Sequence, residues 1–151
     1  MSAPAHFAAE LTAGQDAISA LTERVAAFLA QSGVDARAAH HMALVLDELL
    51  TNVATHGAIE ALVSVSLTVL PDRVVAEVVD GGAMFDPRAE RNLDLTAGGE
   101  ERPVGGWGLL LVHRVTQGLA YEWAGDRNRT SFSICRTPAG QKGQGSENGI
   151  G

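Results

Sequence analysis

The sequence predicts an α+β domain, and three observations carry that reading: two segments of helical period near the start, an alternating hairpin after them, and two more alternating segments closing the folded part. The chain has 151 residues, 46% of them apolar, enough for one compact domain with a buried core and too few for a second full domain.

Phe7, Ala9 and Leu11 alternate ahead of Gly14 and predict a short edge strand. From Asp16, read as an N-cap, Ile18, Leu21, Val25, Phe28 and Leu29 follow helical spacing until Ser32 and Gly33 stop it. A second helix opens near Asp35, carries Ala39, Met42, Leu46, Leu49 and Val53 on one face, and ends at Gly57 as C′ residue. Val63, Val65, Leu67 and Val69 then alternate, Pro71 and Asp72 form a turn, and Val74 to Val79 return as a strand running into Asp80.

Residues 81–105 lack a sustained apolar period and are rich in glycine, so they read as one long functional loop. Leu110, Leu111 and Val115 suit a short helix after it. Segments 119–123 and 130–135 suit two strands turning at Gly125 and Asp126. The tail, 137–151, is polar and glycine-rich and reads as disordered, leaving 1–136 as the folded domain.

A formal charge of −7 with no Lys/Arg cluster argues against nucleic acid or an anionic membrane surface as the main partner. Any polyphosphate must be held by local devices. Cys135 has no cysteine partner, so a disulfide framework is excluded and a reducing cytoplasm fits best. The start has no basic segment leading into an apolar core, and no stretch reaches the roughly 18 apolar residues of a membrane span.

Glu48, Asn52 and His56 stand at i, i+4 and i+8 on the second helix and form one polar row beside the apolar one. A carboxylate and a carboxamide one turn apart suit phosphoryl transfer: the first accepts a proton, and the oxygen of the second ligates a hard cation such as magnesium. Taken alone, the pair equally fits a solvated helix face. Asp80 ends a buried-looking strand, and Gly81 and Gly82 after it let the backbone approach a planar ligand. A fixed carboxylate there accepts a hydrogen bond from the adenine amino group and rejects guanine, whose oxygen at that position is itself an acceptor. The bland alternative is an Asp-Gly turn. The run Val104 to Leu109, with Gly105, Gly106 and Gly108, precedes a helix and can offer backbone N–H groups to phosphates, or serve as a simple hinge. Trp107 reads as a packing residue.

Together, ELLTNVATHG (48–57), DGGAMFDP (80–87), GGWGLLLV (105–112) and NRTSFSI (128–134) resemble, in order and spacing, the nucleotide-binding boxes of the GHKL ATPase superfamily. The match resembles most closely its bacterial anti-sigma-factor serine kinases of the RsbW and SpoIIAB type, over residues 7–136. The resemblance implies a two-layer α/β sandwich of the Bergerat ATP-binding kind, with a mixed, mostly antiparallel sheet and with ATP held between the helices and a mobile lid. It makes Glu48 the general base toward an acceptor serine and Asn52 the Mg2+ ligand. Asp80 and Gly82 fall on its adenine box. Gly105, Gly106 and Gly108, with Leu109 after them, fall on its phosphate-binding glycine box, and Thr130 on the threonine that supports adenine through water. His56 matches a frequent histidine without a chemical role. Met84 departs from the family, which often has a second glycine there, and Arg102 is a candidate for the γ-phosphate.

By this resemblance the chain is an ATP-dependent serine/threonine kinase that phosphorylates a small anti-anti-sigma (STAS-type) partner and sequesters a sigma factor; a homodimer is left open. Two alternatives compete. One is a nucleotide-gated binding module without phosphoryl transfer, since every box serves binding and Glu48 alone argues for chemistry. The other is the catalytic domain of a two-component histidine kinase, which needs an upstream helix with an acceptor histidine. The first helix starts near residue 16, and His40 and His41 lie inside the second as surface and packing residues, so this alternative is set aside.

Overall fold

The computed structural model describes residues 3–56, 62–88 and 106–138. In chain order these form β1 (Ala5–Thr12), α1 (Gln15–Gln31), α2 (Ala36–His56), β2 (Leu62–Val69), β3 (Arg73–Asp80), α3 (Gly106–Val115), β4 (Gln117–Ala124) and β5 (Arg127–Cys135). The strands make one sheet in the order β1-β2-β3-β5-β4. The expected α+β class holds, and all four described pairings are antiparallel, with no parallel pair among them.

Alternation decides which face of the sheet the helices cover. Val63, Val65, Leu67 and Val69 on β2, Val74, Ala76 and Val78 on β3, and Phe132 and Ile134 on β5 all point to one face and are buried. Against them pack Ile18, Leu21, Val25 and Leu29 of α1, Val112 of α3, and a wide stripe of α2 that includes Met42, Val45, Leu46 and Leu50. Each such side chain contributes about 1.5–3 kcal/mol relative to exposure. The opposite sheet face, with Ser64, Ser66 and Ser133, stays half-exposed. No helix among the described residues is long and apolar enough to cross a membrane.

The elements match the sequence reading with a few shifts. β1 is the predicted edge strand and, among the described residues, pairs with β2 alone along Ala5–Thr12. Helix α1 is capped by Gly14 and not by Asp16, which sits in the first turn, where its charge still favours the N-terminal end of the helix dipole. Gly33 (φ +77°) ends α1 in the left-handed region that favours glycine. Helix α3 starts at Gly106, inside the glycine run, because the first-turn N–H groups need no intrahelical partner and glycine is tolerated there. At the β4–β5 turn both Gly125 (φ 60°) and Asp126 (φ 62°) are left-handed, the two-residue hairpin form that matches strand twist. Pairing therefore resumes at once, Ala124 with Arg127, and both strands run longer than read from sequence. Gly57, expected as C′ residue, the rest of the segment expected as a long loop with Arg102, and the tail beyond 138 lie outside the described residues.

Asp35 fastens the end of β5 to the start of α2. Its Oδ2 accepts from the Ala38 N–H (3.2 Å) as an N-cap, and its Oδ1 accepts from the Thr137 N–H (2.7 Å). Beside it Arg136 donates to the carbonyls of Leu70 (3.2 Å) and Gly33 (3.1 Å), so one end of the sheet is tied to the α1–α2 turn. Burial raises the Asp35 pKa, but the Thr137 and Ala38 amides and the charge of Arg37 outweigh it and hold the group below its ordinary value. Asp35→Ala is expected to lower the unfolding free energy by about 1–2 kcal/mol at neutral pH, read by urea denaturation. Because the folded pKa is the lower one, this stabilisation is complete above the unfolded-state pKa and is lost as pH falls through the folded value. The gap between wild type and variant should close in acid; a gap that persists there would show that the Asp35 charge contributes nothing.

Candidate functional site

Strand β3 and strand β5 are not consecutive in sequence, yet their ladder pairs Asp80 directly with Asn128 and Val78 with Thr130. This register puts three polar side chains at one end of the buried face, Asp80 (6% exposed), Asn128 (3%) and Thr130 (7%), and α2 adds a fourth, Asn52 (7%). All four line one small pocket that is partly open to solvent. Leu49, Val53, Val78, Phe85 and Pro87 supply its apolar walls. A slot with apolar sides and a few convergent polar groups at its base suits a planar heterocycle.

Asn128 organises the pocket floor and was not singled out from the sequence. Its Nδ2 donates to Asp80 Oδ1 (3.0 Å) and to the Ala83 carbonyl (2.8 Å). Its Oδ1 accepts from the Phe85 N–H (3.0 Å) and from the Tyr121 hydroxyl. Both donors and both lone pairs of the carboxamide are thus used. Burial, reinforced by the nearby Asp86 and Asp80 charges, pushes the Tyr121 phenol up, which keeps it a donor. Asp80 Oδ1 also accepts from the Gly82 N–H (2.9 Å), while Oδ2 accepts no hydrogen bond among the described residues. The following turn is held by Arg88, whose guanidinium grips Asp86 through Nε (3.0 Å) and a terminal nitrogen (2.9 Å), placing Phe85 and Pro87 at the rim.

The polar row of α2 divides. Asn52 enters the pocket, whereas Glu48, one turn earlier and half-buried, lies outside its lining and packs against the first turn of α3. A β-carbon added at Gly108 would fall inside the Glu48 carboxylate, so the glycine is what lets helix and carboxylate touch. Burial pushes the Glu48 pKa above its ordinary value; Asn52 pulls it back, and the charge of Asp47 adds to the rise. Glu48 Oε2 and Asn52 Nδ2 are both buried without a fully formed hydrogen bond, which marks the space between α2 and α3 as incompletely satisfied.

The other sequence candidates take various places. Gly106 opens α3 and Gly108 is in its first turn. Leu109 is buried at 4% exposure and is a core residue absent from the pocket lining. Gly82 serves the turn after β3 through its bond to Asp80. Met84 is 62% exposed, which a residue in place of a family glycine tolerates at a loop surface. His40 is exposed and His41 half-buried on α2; Gly105 and the His56 side chain lie outside the described residues. Among those residues no group of three or more His, Cys, Asp or Glu could hold a metal. A cation at Asn52 would rest on one protein oxygen and take its other ligands from phosphate and water, the pattern magnesium favours. Asn52 lines the pocket and its Nδ2 has no hydrogen-bond partner, so its carboxamide oxygen is an electron-pair donor that such an ion could use.

A family model described as histidine kinase-like ATPase domain matches residues 11–134. Comparison with curated proteins gives no match. Among solved structures, the RsbU and RsbW domains of Rv1364c from Mycobacterium tuberculosis share the fold at TM-score 0.60 and 17% identity, over 89% of this chain. This chain spans 34% of the length of that one. The mycobacterial sensor histidine kinase MprB aligns at TM-score 0.45 and 15% identity, over 66% of this chain and 75% of its own.

Three substitutions test the electrostatics of Glu48 by carboxyl NMR titration. Asn52→Ala should raise its pKa further, and Asp47→Asn should lower it, following the causes above. Gly108→Ala should leave the fold intact, since alanine favours a helix by about 1 kcal/mol and the clash falls on the movable end of a side chain. It should turn the Glu48 carboxylate out of its seat and bring its pKa down toward the ordinary value. An unchanged Glu48 pKa in Gly108→Ala would show that the contact with α3 does not set its environment.

Proposed function

The chain belongs to the histidine kinase-like ATPase domain family, and on that premise we propose that it is an ATP-dependent serine/threonine protein kinase of the anti-sigma-factor type. The observation that carries the proposal is the convergence of Asn52, Asp80 and Thr130 on one pocket, with Glu48 a single turn from Asn52 and its pKa raised by burial. ATP is the nucleotide the family implies. In this reading Asp80 receives the adenine amino group, Thr130 supports it through water, and Gly105, Gly106 and Gly108 turn N–H groups toward the phosphates at the start of α3. Magnesium, when bound with Asn52 as its protein ligand, screens the phosphate charge. Glu48 accepts the proton of a serine hydroxyl as that oxygen bonds to the γ-phosphorus and the bond from phosphorus to the bridging oxygen of ADP breaks. A carboxylate with a raised pKa is the stronger base for this step.

The acceptor is proposed to be a small anti-anti-sigma domain of the STAS type, competing with a sigma factor for this protein until phosphorylation releases it. The four sequence boxes support this assignment, and the fold shared with a structure that contains an RsbW domain agrees with it. The kinase domain is assigned to residues 1–136 and to a reducing cytoplasm, which the single Cys135 suits.

A second reading, a nucleotide-gated binding module without transfer, is favoured by one observation: Glu48 stands outside the pocket lining and against Gly108. Transfer of labelled phosphate from ATP to a co-encoded STAS partner decides between them. With wild type, phosphoserine should form, and the rate should fall on the acid side as pH drops through a Glu48 pKa above the ordinary glutamate range. Glu48→Gln should keep ATP binding and lose about a hundredfold or more in transfer rate. Near-normal transfer by that variant would remove Glu48 as the base; ATP binding with no transfer by wild type would establish the binding module.

A further inference from the structure

We propose that Asn128 is the specificity-determining positioning residue of this pocket, fixing the polarity that Asp80 presents to a purine. The inference rests on the adenine reading above and adds to it a residue on another strand. Asn128 is 3% exposed and lies across the β3–β5 ladder from Asp80. Two of its four partners are main-chain groups of unambiguous polarity: the Phe85 N–H can only donate and the Ala83 carbonyl can only accept. The carboxamide therefore has one allowed orientation, with Nδ2 toward Asp80.

The consequence passes along a line of donors. The Tyr121 hydroxyl gives its proton to Asn128 Oδ1, and Asn128 Nδ2 and the Gly82 N–H give theirs to Asp80 Oδ1. With two donors on one oxygen, the carboxylate plane is set and Oδ2 is the acceptor left for the pocket. A 6-amino purine donates to such an oxygen; a 6-oxo purine meets acceptor against acceptor. Because Ala83 also lines the pocket and Phe85 forms part of its wall, the same side chain holds the recognition group and the slot in one frame.

The test compares binding of ATP, GTP and purine riboside triphosphate, which lacks the 6-amino group, to the full chain by calorimetry. Wild type should prefer ATP over purine riboside triphosphate by about ten- to a hundredfold, the range of a hydrogen bond to a charged group. Asn128→Ala should bring that ratio close to one, and Asn128→Asp, which sets acceptors against Asp80 and Ala83, should also raise GTP relative to ATP. Tyr121→Phe removes one hydroxyl, leaves Asn128 in place and should give an intermediate ratio; it carries the test if the Asn128 variants do not fold. Wild-type ratios in both Asn128→Ala and Tyr121→Phe overturn the inference while leaving the adenine reading intact. A wild-type chain that binds ATP no better than purine riboside triphosphate overturns the adenine reading and the inference with it.

Discussion

The register of the β3–β5 ladder is the constraint on which the rest of the molecule depends. It joins residues 48 or more apart along the chain and pairs Val74 with Ile134, Ala76 with Phe132, Val78 with Thr130 and Asp80 with Asn128. One shared face thus runs from pure core to polar pocket floor within four pairs. A slip by one residue would turn Phe132 and Ile134 outward and bury Ser131 and Ser133. The hydrophobic penalty against that slip is what holds Asn128 opposite Asp80. Site geometry here is a by-product of core packing, because the same alternation fixes both.

Much of this was legible in the sequence where the cause is local. Helical period exposed α1 and α2, and with them the row of Glu48 and Asn52, because residues four apart on a helix share a face whatever surrounds it. Strand alternation exposed the β2–β3 hairpin and the end position of Asp80. The misses have a common origin in interactions that sequence distance hides. Asp16 reads as a cap, but the cap is Gly14, two residues earlier, and only the chain's entry from β1 decides between them. Asn128 stands two residues before Thr130 in the same segment, and no local signal separates a solvated asparagine in a strand from one that saturates four partners. Its signal is the ladder partner at position 80.

Leu109 shows how one motif position can carry two roles. Next to glycines that can face a phosphate, it is a buried core residue of α3 alongside Val112. The two roles are compatible because they belong to different atoms: backbone N–H groups at the helix start point along the axis, while the side chain points to the core. Packing of Leu109 and Val112 is therefore what would aim those N–H groups, and the glycines beside them matter for what they omit.

That division separates the two halves of the site by how they are held. The floor around Asp80 is built from hydrogen bonds between β3, β5, Tyr121 and the 83–85 turn, every donor of Asn128 matched to an acceptor. The wall between α2 and α3 is held by contact of Glu48 with Gly108, and it keeps two buried polar atoms without partners, Glu48 Oε2 and Asn52 Nδ2. Leaving such groups unsatisfied costs about 1–3 kcal/mol each, a cost that a ligand or a shift of α3 can remove. A satisfied floor favours one fixed pose for a base; an unsatisfied wall favours response to what binds. Under the proposed function this is the order required, with recognition settled at Asp80 and chemistry at Glu48 contingent on the first turn of α3.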